Sequence, residues 1–442
     1  MKQVLVLGAG LTARPLVRYL LDEGAFRVTL AALDLAEAAG LVGDHQRGRS
    51  LGIDVMRDHQ TLGDLVAEAE LVISLLPVSC ELQVAEQCVR LRRPLVTANY
   101  SSGLLPLHTD AQRAGVLLLC ETGLDPGIDH MLAMQTIDKV HRAGGEVRSL
   151  RCYCGGLPAP ESNDNPLGYK FSWTPRGVAM LAHRDGRFKE RGCVVEVPSS
   201  RVFAAHSVIL VDGLGDFEVY PNHDSLPYLD HYDIPEADTI YRGAVRNLGW
   251  CDLMHKLSQL GYFGLDPRPD LGGQTYREVT AALCDQRDAG DLRTAAASLL
   301  GISRESAVVQ AMDWMGLFGE TEIPHTATCL LDALVALQIP RMSFRPGERD
   351  MVILVLEVEA EYPDHKERTT STLIEYGETG GDSAMARTVG LTAAIAAKQI
   401  LRGAVKTTGV QIPVFPEIYG PTLRELDRQG ISSVDSREVI PC

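Results

Sequence analysis

The chain opens on an apolar run, Lys2 to Leu7, that passes at once into GAGLTA (Gly8 to Ala13) and then into the amphipathic stretch Pro15 to Leu21. Strand, glycine turn and helix in that order leave few folds open, because G-x-G-x-x-A does three jobs in a single turn. Gly8 permits the tight turn, Gly10 lets backbone approach a pyrophosphate, and Ala13 lets helix and strand pack closely, while the helix N-terminus stabilises phosphate charge. With Leu11 and Thr12 completing the loop, residues 8 and 10–13 are candidate dinucleotide contacts. A second strand (Arg27 to Ala32), an alanine-rich helix (Leu35 to Leu41), a third strand near Gly52 to Val55 and a fourth at Leu71 to Leu76 continue the alternation. That pattern predicts a parallel sheet with helices on both faces, a Rossmann domain of the α/β class.

Two further apolar runs, Pro94 to Thr97 and Val116 to Cys120, extend the sheet and end in ANYSSG and ETGLDPGIDH. Ligands of open α/β sheets bind beyond the carboxyl ends of the strands, so topology alone places Asn99, Tyr100, Ser101 and Asp125 near a cofactor. The second strand ends in AALD. An acidic residue there bonds the ribose hydroxyls of NAD, whereas NADP needs a cation for its 2′-phosphate. No Arg or Lys occurs between Val28 and Glu37, and Asp34 would repel a 2′-phosphate, so NAD is favoured over NADP. Asp34 equally suits the cap of the next helix.

Beyond about residue 130 the alternation stops. Val147 to Cys154, Val194 to Val197 and Phe217 to Tyr220 read as strands without crossover helices. Helical spacing dominates from Arg246 to Leu337, including Leu253 to Leu260, Tyr276 to Leu283 and Leu330 to Leu337. Met351 to Glu361 and Glu367 to Tyr376 then alternate as a strand pair, and Ala384 to Leu401 makes an alanine-rich helix able to pack close to another element. The expected organisation is a Rossmann domain over 1–130 with about 382–420, an α+β domain over 131–245 and 340–381 for substrate and dimerisation, and a mostly helical insert over 246–339.

The balance of 58 acidic against 42 basic residues, a formal charge of -16, disfavours nucleic acid and anionic membrane surfaces as partners. No apolar stretch reaches membrane-spanning length, and the N-terminus starts directly on a strand, so a cytoplasmic location is expected. Ten cysteines without a CxxC pair or zinc-type spacing read as reduced thiols, and no metal site is expected.

One stretch suits no regular element: CGGLPAPESNDNPLGYKFSWTPRGV, Cys154 to Val178, reads as an ordered functional loop. Together with TANYSSG, ETGLDPGIDHMLAMQTID, EVYPNHDS, YRGAVRNLG and the C-terminal GVQIPVFPEIYGPTLREL, it closely resembles the saccharopine reductases, or glutamate-forming saccharopine dehydrogenases, over nearly the whole chain. The resemblance implies a homodimer that interconverts saccharopine with glutamate and aminoadipate semialdehyde, an amino-acid substrate oxidised at a CH–NH bond with a nicotinamide cofactor. It resembles the fungal members, which would use NADP, less than the plant and animal members, which use NAD, in the residues around Asp34.

Carried over residue by residue, the resemblance adds Asp54 and Val55 near the adenine, and Leu76, Pro77, Leu124 and Pro126 along the cofactor; for Leu76 and Pro77 a plain strand end and loop fits as well. Substrate positions fall on Tyr100, Ser101, Asp125, Cys154, His223, Ala244, Val245 and Arg246. Asp125 is the first choice for orienting the amine and moving its proton, followed by Cys154 and Tyr100; each also suits a hydrogen-bonded structural role. Two departures stand out. His223 in PNHDS occupies the place of an arginine, and Ala244 in RGAVRN that of a threonine, so a bidentate carboxylate clamp and a hydroxyl are missing. Lys170, Arg242 and Arg246 are the other cations near these motifs. A related imine reductase with a different amine partner, and a non-catalytic NAD sensor, are the alternative readings.

Overall fold

The computed structural model describes residues 1–285 and 291–440. It resolves into two compact units, Met1–Val147 with the chain from Leu356 onward, and Arg148–Val355.

The first unit is built on β1 (Lys2–Leu7), β2 (Phe26–Ala32), β3 (Gly48–Gly52), β4 (Leu71–Ser74), β5 (Leu95–Thr97), β6 (Leu117–Leu119) and Gly409–Gln411. These strands are all parallel, in the order Gly409–Gln411, β6, β5, β4, β1, β2, β3. Strand order reverses at β1, which pairs with both β2 and β4, and this switch point is where open α/β sheets accept ligands. Val4, Val6, Leu7, Leu30, Ile73 and Val96 are fully buried, as strands covered on both faces require.

The alanine-rich helix Ala384–Leu401 lies against the helix Ala13–Asp22. Its small residues are what the contact needs: a Cβ on Gly390 would sit 2.5 Å from the carbonyl oxygen of Thr12. The third strand runs earlier than its apolar residues suggest. Asp54 and Val55 follow β3 in a turn in which Asp54 Oδ1 accepts from Met56 N at 3.0 Å and the Asp54 carbonyl accepts from Arg57 N at 3.0 Å. An Asx-type turn of this kind ends the ladder before the apolar run does. Within this unit β14 (Lys366–Tyr376) also pairs antiparallel with Val434–Ile440.

The second unit carries β7 (Glu146–Pro158), β8 (Gly186–Glu190), β9 (Cys193–Val197), β10 (Ser207–Val211), β11 (Gly215–Pro221), β12 (Thr239–Arg246) and the start of β13 (Asp350–Glu361). Its strands lie in the order β10, β11, β12, β7, β13, with β12 parallel to β7 and antiparallel to β11, so the sheet is mixed. All eight residues of β12 are buried, which hides the period-2 signal by which a strand is read from sequence. The helices Trp250–Gln259, Tyr276–Leu283, Leu292–Leu300, Ala307–Met315 and Leu330–Met342 complete the unit.

The nine described cysteines are thiols; Cys442, the tenth expected thiol, lies outside the described residues. Among the described residues no helix is long and apolar enough to cross a membrane.

Candidate functional site

The cofactor candidates of the first unit all follow the carboxyl ends of its strands: Gly8–Ala13 after β1, Asp34 after β2, Asp54 and Val55 after β3, Leu76 and Pro77 after β4, Asn99–Ser101 after β5, and Leu124–Pro126 after β6. Gly8 has φ +101°, and a Cβ there would lie 3.2 Å from the carbonyl of Leu75, so the turn requires glycine. Gly10 is different: an added Cβ would meet no atom within 4 Å. Its backbone therefore faces open space at the N-terminus of a ten-residue helix, a cradle that fits a pyrophosphate.

Asp34 is indeed a helix cap, its Oδ1 accepting from Ala36 N at 2.7 Å and from Glu37 N at 3.3 Å. Both bonds go to one oxygen, and Oδ2 takes no part in the cap. Asn99 ties two edge loops together, its Nδ2 donating to the Leu76 carbonyl at 3.1 Å. Beneath it lies Glu81, only 3% exposed; burial pushes its carboxyl up, against the opposing hydrogen bonds of Thr97 and Asn99.

Sequence reasoning passed over the group that holds Ser101. Glu121 Oε1 accepts from Ser101 N at 3.0 Å and from Ser101 Oγ at 2.6 Å, and Glu121 Oε2 bonds His130 Nε2 at 2.9 Å. Glu121, His130 and Asp129 are essentially inaccessible. Burial works against the Glu121 charge, but the hydrogen bond and attraction of His130 together with the two Ser101 donors hold this carboxyl well below the usual carboxylate range. Asp129 in turn accepts from Gly127 N at 2.5 Å, and Gly123 N donates to the Pro126 carbonyl at 3.0 Å, which pins the GLDPG turn around half-buried Asp125. Glu121 and His130 both lie in the motif ETGLDPGIDH; a Glu and a His flanking a glycine turn were the available signal.

In the second unit, strand register brings the substrate candidates together. Ala244 pairs with Tyr220 on β11 and with Cys154 on β7, and residues directly opposite share a face. Arg246, two residues on, shares it too. Its guanidinium lies over Tyr169, Tyr220 and Trp250, at 5.1, 5.5 and 5.7 Å from their ring centroids. Arg246 is 4% exposed, one of its Nη atoms donates to its own strand at the Val245 carbonyl at 2.7 Å, and Nε has no hydrogen-bond partner. The buried indole Nε1 of Trp250 is likewise without a partner. Among the described residues no carboxylate pairs with Arg246. The nearest strand neighbour, Glu218, turns to the start of the helix Trp250–Gln259 and accepts from Gly249 N and Cys251 N, both at 2.8 Å.

The unusual loop is ordered by its own polar residues. Asn165 Oδ1 accepts from Leu167 N at 3.0 Å, Asn165 Nδ2 donates to the Tyr169 carbonyl at 3.0 Å, and Asn247 Nδ2 donates to the Gly168 carbonyl at 2.7 Å. These bonds deliver Tyr169 onto Arg246 and Trp250. Of the three cations near the motifs, Lys170 is committed elsewhere: its Nζ lies 2.8 Å from Asp164 and 2.7 Å from Glu348. Arg242 stacks on Tyr228 at 4.6 Å. Of the three, Arg246 is the buried guanidinium without an anion.

A Rossmann sheet with an open glycine cradle at its switch point fits a dinucleotide-linked oxidoreductase. Residues 4–119 match the family model described as the saccharopine dehydrogenase NADP binding domain, and residues 123–431 match the saccharopine dehydrogenase C-terminal domain. The chain belongs to the saccharopine dehydrogenase family, oxidoreductases that act on a CH–NH bond. It is 37% identical to saccharopine dehydrogenase [NADP(+), L-glutamate-forming] of Pyricularia oryzae, over 97% of this chain and 98% of that protein. It is also 37% identical to the mitochondrial alpha-aminoadipic semialdehyde synthase of Bos taurus, over 97% of this chain but 47% of that one, so it spans about half of such relatives. The apo structure of saccharopine dehydrogenase (L-Glu forming) from Saccharomyces cerevisiae has a TM-score of 0.89 at 35% identity, covering 99% of this chain and all of that one. A homospermidine synthase from Legionella pneumophila, 9% identical with a TM-score of 0.57, shares the fold alone.

Proposed function

We propose that the chain is a glutamate-forming saccharopine dehydrogenase, converting saccharopine, NAD and water into L-glutamate, aminoadipate semialdehyde, NADH and a proton. The observation that carries this reading is Arg246, a buried cation with an open donor and no protein anion, on the same sheet face as Cys154 and Ala244. Such a group is costly to bury unless a ligand carboxylate completes it.

The nicotinamide cofactor supplies hydride acceptance from the CH–NH carbon. Gly8, Gly10, Leu11, Thr12 and Ala13 would hold its pyrophosphate, with Asp54, Val55, Leu76, Pro77, Asn99, Leu124 and Pro126 along its length. Asp125 orients the secondary amine and takes its proton, and Tyr100 and Cys154 are the further candidates for proton movement as water adds to the imine. Ser101, held by Glu121, is a substrate candidate of the first unit, and Ala244 and Val245 are substrate candidates of the second. A cytoplasmic homodimer is the assembly proposed with this activity, and a monomer in sedimentation at micromolar concentration would contradict it. Mass-spectrometric identification of the products tests the reaction: glutamate with the semialdehyde supports it, and lysine with 2-oxoglutarate refutes it.

NAD is proposed as the preferred cofactor, although the matching family model and the fungal relatives carry NADP in their names. Oδ2 of Asp34 is left over from the helix cap and suits a ribose diol, and no cation lies between Val28 and Glu37 for a 2′-phosphate. Asparagine caps helices as well as aspartate does. Asp34→Asn should therefore leave thermal stability unchanged while lowering the ratio of kcat/KM for NAD over NADP by about tenfold or more, the worth of one charge-assisted hydrogen bond. An unchanged ratio would remove Asp34 from the ribose site.

A further inference from the structure

The side chain at position 223 has not lost its guanidinium so much as received one from another segment. Where β11 ends, the chain turns through His223 at φ +66°, in the left-handed region that His tolerates better than most residues. The turn is tied to β8, since Arg187 N donates to the His223 carbonyl at 3.0 Å and Ser225 N to the Arg187 carbonyl at 2.7 Å. The imidazole Nε2 contacts Nη1 of Arg184. A guanidinium only donates, so Nε2 accepts and its ring is the neutral tautomer with the proton on Nδ1.

Arg184 leaves the same loop that delivers Tyr169, after the helix Pro175–Met180 and the turn Leu181–His183. It is half-buried, and among the described residues no carboxylate pairs with it. Its neighbour Asp185 accepts from Ser199 N at 2.7 Å instead. Through His223, Arg184 is tied to the turn that ends β11, the strand that carries Tyr220 of the cage around Arg246. Burial pushes the Tyr220 phenol up to about 12, and the two guanidinium groups that oppose this rise are those of Arg246 and Arg184. Among the described residues neither guanidinium is paired with a carboxylate, in a chain whose formal charge is -16.

We infer that Arg184 is a second carboxylate-binding residue of this site, held in place by His223 as a positioning residue, so that the pocket takes an amino acid carrying at least two carboxylates. This rests on the proposed reading of the site as one for an acidic amino acid. A guanidinium supplied from the loop, and oriented by a neutral imidazole, does the work of an arginine at 223 while keeping its planar fork.

The test is calorimetric binding of glutarate, a simple dicarboxylate, alongside steady-state turnover of saccharopine. Arg184→Gln should weaken glutarate binding and raise the saccharopine KM by about 10- to 100-fold, with kcat and the affinity for NAD little changed. His223→Gln, whose amide oxygen still accepts from Arg184, should stay within about threefold of the parent, whereas His223→Ala should lose about tenfold. In the double variant Arg184→Gln/His223→Arg the guanidinium returns at the other position, and most of the glutarate affinity should return with it. Unchanged glutarate affinity and KM in Arg184→Gln would overturn the inference, as would failure of the parent to bind glutarate at all. A parent that binds glutarate through Arg184 yet does not oxidise saccharopine would uphold the cation and refute the reaction.

Discussion

Replacing Arg246 by methionine is expected to lower kcat/KM for saccharopine by about a hundred- to a thousandfold while leaving the unliganded protein at least as stable as before. The two halves of that result have one cause. Arg246 is almost wholly buried, and its Nε lacks a partner. Truncating one side of a buried, hydrogen-bonded charge pair costs about 2–5 kcal/mol, and in the proposed site that pair forms only with the ligand carboxylate. Without ligand the guanidinium is a buried charge supported by aromatic faces worth about 0.5–2 kcal/mol, and an apolar side chain of similar length is tolerated or preferred in such a place. Lysine should restore little, because a point charge does not reproduce a planar fork. Melting curves and initial rates on Arg246→Met check both halves. A large fall in melting temperature with only modest loss of activity would make Arg246 a structural residue.

Glu121→Gln is expected to be the most damaging substitution in the first unit, destabilising it by about 3–5 kcal/mol at neutral pH, the cost of breaking a buried charged pair. The carboxylate accepts from Ser101 twice and bonds His130, and an amide cannot accept at both ends. Because the folded carboxyl titrates well below its unfolded value of about 4.3, its stabilisation is complete above that value and falls away as pH drops toward the folded one. The stability gap between parent and variant should therefore be constant from pH 7 to about 5 and shrink in stronger acid. Denaturant midpoints across that range measure it. A gap that widens in acid, or no gap at neutral pH, would contradict this role. The saccharopine KM should rise with the loss of Ser101 positioning, even in molecules that remain folded.

Much of this was legible because the signals are local. GAGLTA declares its turn through Gly8, and the small residues of Ala384–Leu401 announce a close helix contact that Gly390 makes with Thr12. Other features depend on what a residue packs against, which a lone sequence does not show. β12 is buried on both sides and so loses its alternation, although it carries Ala244, Val245 and Arg246. Lys170 looks like Arg246 in sequence, a cation in a motif, but Asp164 and Glu348 neutralise it. His223, where the resemblance leads one to expect an arginine, reads as a lost cation until Arg184, 39 residues earlier, is seen beside the imidazole. Asp34 is the helix cap that its position suited, and because the cap uses one carboxylate oxygen the proposed ribose contact is still compatible with it.

The most direct test of the central claim is the initial rate of reduced-nicotinamide formation with saccharopine and either NAD or NADP. Saccharopine-dependent turnover, faster with NAD than with NADP, is the predicted result. Turnover that prefers NADP would overturn the role given to Asp34 and leave the reaction standing. No turnover with either cofactor, in protein that binds NADH tightly, would contradict the assignment and point to a different amine as the ligand of Arg246.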